Sequence, residues 1–226
     1  MLQENTAHFH ILYHREDSDF AGEFIHRIEP FYLETCEKAS LPSGDDSYDL
    51  YICGTEEEFI ALTGKSRETY QEWMVGNTDL SRKRLCILSP GARNNRSQSY
   101  TDYLVRVILH EVVHIVFDRL CDPEKCEIWL AEGIALYCAG QIDLSYVSET
   151  ECPRVADISG IGNEIGFADN GGYDYAGVYV WYLIQRYGME QFLAVYRGEC
   201  EIAPLIDRDF EQKAVRACKA AHKGVS

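Results

Sequence analysis

The stretch from Val107 to Phe117, Val-Ile-Leu-His-Glu-Val-Val-His-Ile-Val-Phe, constrains this chain more than any other part of it. Apolar residues run through it without a turn former, so it reads as part of a buried helix over Tyr103–Leu120. A buried helix carries two imidazoles and a carboxylate only where something satisfies them, because an unpaired polar group in an apolar interior costs roughly 2–7 kcal/mol. Residues four apart stand one above the other on a helix, so His110 and His114 can present two ring nitrogens to one metal ion. Glu111 projects about 100° round from His110, near enough to reach a water on that metal without being a ligand itself.

A third ligand decides what kind of metal site this is. Eighteen residues after His114 stands Glu132, inside Trp129-Leu130-Ala131-Glu132-Gly133-Ile134-Ala135-Leu136-Tyr137, on what reads as the next helix, Glu124–Ala139. Two histidines from one helix and a carboxylate from its neighbour leave the fourth tetrahedral position of a zinc ion open, as in catalytic sites. Gly133 and Ala135 are small, which suits a close approach of the two helices on either side of the metal.

With H-E-x-x-H followed by W-L-x-E-G-x-A-x-Y, the chain resembles the gluzincin metallopeptidases, the thermolysin-like and aminopeptidase-like clan, over most of its length from about His8 to Ala217. The resemblance implies that His110, His114 and Glu132 bind Zn2+. It also implies that Glu111 is the general base that takes a proton from the attacking water and hands it to the leaving amine. It implies further an oxyanion-donating tyrosine at the start of the helix after the third ligand, with a small residue three positions on. Tyr173 with Ala176 fits that spacing, and Tyr175 with Gly177 is the near competitor. The strand Arg84–Leu88 is expected to lie at the edge of the sheet and pair with an extended peptide. The G-x-M-E-N signature of the aminopeptidase branch does not occur, which favours an endopeptidase-like activity on peptide or protein substrates. A catalytically silent domain that keeps zinc and recognises a protein or peptide is the alternative, and the presence of Glu111 speaks against it.

The order of elements predicts an α+β fold. Strands are expected over Ala7–His14, Tyr48–Cys53 and Arg84–Leu88. A helix is expected from Ser18, kinked or divided at Pro30, and Thr55 with Glu58 forms a capping box for a short helix closed by Gly64. Beyond Thr101 the pattern is helical, over Asp174–Tyr187, Met189–Tyr196 and Asp207–Ala221, with Gly140, Gly188 and Gly198 as helix stops. Between Gln141 and Gly172 there is room for a short helix near Arg154–Ile158 or for a mobile flap. Together with the resemblance, this predicts one zincin-like domain over 1–226. Its mixed strand and helix lobe, residues 1–100, carries a small sheet packed on a helical lobe, residues 101–226.

Charge and cysteine usage narrow the partners. Lys and Arg number 21 against 37 Asp and Glu, a net charge of −16 that argues against nucleic acid and anionic membrane surfaces. The first residues, Met1 to Thr6, lack a basic segment followed by an apolar core, and no apolar run approaches membrane-spanning length. Nine cysteines without any C-x-x-C pair read as reduced thiols of a cytoplasmic protein. Cys121 and Cys126 as a redox or second metal pair, His8, His10 and His14 as ligands, and Asp118 as an acceptor orienting a metal ligand are weaker candidates than packing or solvated roles.

Overall fold

The structure is a computed structural model that describes residues 1–121 and 126–222. The chain divides into two compact units, Met1–Val116 and Phe117–Ser226. The fold class is α+β, a small mixed sheet in the first unit and helices through the second. Among the described residues no helix is long and apolar enough to cross a membrane.

In the first unit the elements run β1 (Leu2–Asn5), β2 (Phe9–Tyr13), α1 (Ser18–Lys38), β3 (Tyr48–Cys53), α2 (Glu56–Thr63), β4 (Gly76–Asp79), β5 (Arg84–Leu88) and α3 (Gln98–Phe117). The sheet order is β1-β2-β3-β5-β4, with β2, β3 and β5 parallel and the two outer strands antiparallel to their neighbours. Alternation puts Phe9, Ile11 and Tyr13 of β2 in the core, while Leu85 to Leu88 of β5 are buried at four successive positions. A strand buried on both faces is an interior strand. This corrects the expectation that Arg84–Leu88 lies at the edge: β5 is flanked by β3 and β4, and β4 is the edge.

Two further expectations for this unit are revised. Helix α1 runs undivided through Pro30. Its buried stripe, Phe20, Phe24, Ile28, Tyr32 and Cys36, recurs every fourth residue, while Pro30 and His26, whose carbonyl loses its partner, face solvent where water can replace the bond. At α2, Thr55 Oγ1 accepts from the Glu58 amide at 3.1 Å, but the Glu58 carboxylate reaches back to Gly54 N, at 2.8 Å, and also holds His14. Only half of the capping box is formed.

The second unit contains α4 (Ile128–Cys138), α5 (Val155–Ile158), α6 (Glu164–Asp169), α7 (Gly172–Tyr187), α8 (Met189–Tyr196) and α9 (Phe210–His222), built around α7, which packs on α4, α6, α8 and α9. The expected helix start at Glu124 lies outside the described residues. Gly133 lies against α7: a Cβ there would stand 2.6 Å from the Ala176 carbonyl oxygen and 2.5 Å from Val180 Cγ2. The small residue thus serves the α4–α7 contact. The 141–172 segment holds α5 and α6, so the short helix expected near Arg154–Ile158 is present, and hydrogen bonds fasten residues 148–155. Ser148 N donates to the Tyr175 hydroxyl at 2.9 Å, Tyr179 donates to the Pro153 carbonyl at 2.6 Å, and Val155 N donates to the Glu211 carboxylate at 2.9 Å.

Candidate metal centre

Helix α3 has neither Gly nor Pro in its twenty residues, and its buried faces are filled by Val112, Val113, Ile115 and Val116. Into this apolar setting it brings His110 and Glu111, 7% and 9% exposed, and the half-buried His114. The two Nε2 atoms stand 3.0 Å apart, with the rings nearly perpendicular at 72° and their centroids separated by 4.8 Å. Two nitrogens each about 2.0–2.1 Å from one ion at a tetrahedral angle stand about 3.3 Å apart, so the pair fits a shared metal to within a few tenths of an ångström. The same spacing suits a hydrogen bond between two neutral rings, one donating and the other accepting. One ligand atom from each of His110, His114 and Glu132 lies within 4.8 Å of the other two, the one such trio of His, Cys, Asp or Glu side chains among the described residues. Glu132 is half-buried on α4, between the buried Leu130 and Gly133.

The Glu111 carboxylate is held by the edge strand. Thr78 Oγ1 donates to its Oε2 at 2.7 Å, and Gly76 leaves the space that its Oε1 occupies. Neither residue was legible as part of the site. Gly76-Asn77-Thr78-Asp79 reads as a turn, and no periodic signal marks it as a strand.

Tyr173 opens α7 half-buried, its ring edge-on to Phe167 at 5.0 Å. Tyr175 is buried, and its hydroxyl is engaged by Ser148, accepting from the amide at 2.9 Å and donating to the carbonyl at 3.3 Å. A hydroxyl committed in both directions is a poor oxyanion donor, which weighs against Tyr175 in that role.

The weaker candidates have ordinary partners. His8 Nδ1 is 2.5 Å from Glu29, His14 pairs with Glu58 at 2.9 Å, and His10 is exposed. Burial, reinforced by Cys121 and Asp118 nearby, pushes the Cys126 thiol up to about 12, far from the thiolate that redox or metal chemistry needs. Asp118, just beyond α3, also raises the buried Tyr196 hydroxyl, after the larger effect of burial itself. Comparison with known proteins finds no family model that matches the chain and no similar curated protein.

Proposed function

We propose that this protein is a zinc-dependent peptidase of zincin-like fold in which His110, His114 and Glu132 hold the metal. The observation that carries the reading is the convergence of the two α3 imidazoles, 3.0 Å apart, beside a buried carboxylate that metal binding itself does not require. Bound zinc supplies Lewis acidity, lowering the pKa of a water toward about 7 and polarising the scissile carbonyl. Glu111 takes the proton of the attacking water and delivers it to the leaving amine, a role open to a carboxylate that is held in place but does not ligate the metal. Tyr173 donates its hydroxyl proton toward the developing oxyanion. The substrate is an extended peptide that adds alongside β4, the strand that ends the sheet next to Glu111.

Metal analysis of the purified protein and cleavage of a mixed peptide library before and after chelation test this reading. Zinc should be stoichiometric in the wild type and lost when His110 and His114 are both changed to Ala; a double variant that kept one zinc per chain would place the metal elsewhere. Glu111→Gln should keep zinc and fold while turnover falls by about 10²- to 10⁴-fold. Undiminished hydrolysis by that variant refutes the mechanism. A zinc-loaded wild type that cleaves nothing in the library transfers the site to peptide recognition.

A further inference from the structure

Gly76 and Thr78 are two residues apart on β4, so they share one face of the strand, and both meet α3. Thr78 Oγ1 has two acceptors on Glu111, Oε2 at 2.7 Å and the main-chain carbonyl at 3.2 Å. A hydroxyl has one proton, and the nearer oxygen, that of the carboxylate, takes it. On the other side of the carboxylate, a Cβ at Gly76 would stand 2.6 Å from Oε1 and 2.5 Å from Val107 Cγ1, so only glycine leaves Glu111 its place.

The strand that presents these residues is itself fixed. Pairing sets Gly76 opposite Ile87 and Thr78 opposite Leu85. At the end of β4, Asp79 Oδ1 accepts from Ser81 Oγ at 2.6 Å and Arg82 N at 3.2 Å, and Lys83 turns the chain at φ 50°. Before it, Arg93 donates to the Tyr70 hydroxyl and the Glu72 carbonyl, each at 2.5 Å. Since both ends are tied, the Thr78 hydroxyl has one register in which to meet Glu111.

We infer that Thr78 is a positioning residue for Glu111: its hydroxyl holds the carboxylate in the orientation from which it takes the proton of the attacking water. The inference rests on the reading of Glu111 as general base. A glutamate side chain turns about three bonds, and a misplacement of about 1 Å at a catalytic group costs on the order of 10²-fold in rate.

The test uses the whole 226-residue chain and five variants: Thr78→Val, Thr78→Ser, Glu111→Ala, its combination with Thr78→Val, and Glu111→Gln. With zinc bound and the best-cleaved library peptide as substrate, Thr78→Val should lower kcat by roughly 10- to 100-fold with KM and zinc content unchanged, and Thr78→Ser should stay within about threefold of wild type. Without zinc, Thr78→Val should lower Tm by roughly 2–4 °C when Glu111 is present and by less than about 1 °C beside Glu111→Ala. Wild-type kcat in Thr78→Val, equal losses in the Val and Ser variants, or no coupling in the melts each overturns the positioning role, whatever Glu111→Gln does. If Glu111→Gln keeps full turnover, or the wild type cleaves no peptide, the general-base reading falls and takes the positioning role with it, while the melts still report the hydrogen bond by themselves.

Discussion

Two helical glycines make opposite demands, and the same substitution should therefore change stability with opposite sign. Gly22, on the exposed face of α1, would give an added Cβ open space, with no atom within 4 Å. Gly22→Ala therefore collects only the helix-propensity gain, about 1 kcal/mol at most, and should raise Tm by roughly 1–4 °C. At Gly133 the added carbon would stand 2.6 Å from a main-chain oxygen of α7 and 2.5 Å from Val180. Val180 can rotate, but the Ala176 carbonyl cannot leave its own helix, so α4 and α7 must separate by roughly half an ångström or more to reach ordinary contact distances. The separation is felt one turn along, where Gly177 of α7 sits so near Leu136 and Ile142 that its own Cβ would stand 3.0 and 2.9 Å from them. Overpacking of this kind costs roughly 1–3 kcal/mol, against which the propensity gain offsets at most about 1. A net loss of about 1–2 kcal/mol corresponds to a fall of roughly 2–8 °C in Tm. Thermal melts followed by circular dichroism on the two variants and the wild type make the comparison. A Gly133→Ala protein that melts at or above the wild type would show that the helices do not approach as closely as this packing requires.

The remaining predictions concern a hydroxyl and a carboxylate. Tyr173→Phe should lower kcat and kcat/KM together, by roughly 2.7–4 kcal/mol in the manner of other oxyanion donors, with zinc retained. Tyr175→Phe should spare kcat and instead cost about 1 kcal/mol of stability through the lost bonds to Ser148; the reverse ranking in steady-state kinetics would transfer the role. Glu29 is opposed by burial, which raises it, yet the donors from Thr6 and His8 leave it below the ordinary value of 4.5. A depressed carboxylate adds stability above its unfolded pKa and loses it as pH falls through the folded one. Wild type should accordingly exceed Glu29→Gln in urea midpoint near neutrality, and the difference should close as pH drops below about 4.5. A gap that persists unchanged in acid would show that Glu29 acts by shape and not by charge.

How far the sequence could be read depends on how local each signal is. The α3 motif was legible because its information lies within one helix: the spacing of His110 and His114 alone brings their nitrogens to 3.0 Å. Helix α8 was legible to the residue for the same reason, with Gly188 before it and Gly198 just past its end. Signals that depend on partners were not. The stripe of α1 outweighed Pro30 because its five buried side chains hold the helix on the face away from the missing bond. Likewise β5, read by itself as a strand, could not reveal that β4 pairs outside it and takes the edge.

The same distinction explains why the candidate base was legible and its support was not. A motif names donors and acceptors, but what orients them is supplied by strand pairing, and pairing register is not a local property of four polar residues. In the observed register Thr78 lies opposite Leu85 and turns its hydroxyl to Glu111. A slip of one residue would present Asn77 to the carboxylate instead and send Thr78 to the opposite face, and it would put a side chain where Gly76 now leaves room for Oε1. The glycine therefore does more than permit the contact. Because no other residue of β4 lacks a Cβ, close approach to α3 at that point admits one register, and that register is the one that delivers the Thr78 hydroxyl to Glu111.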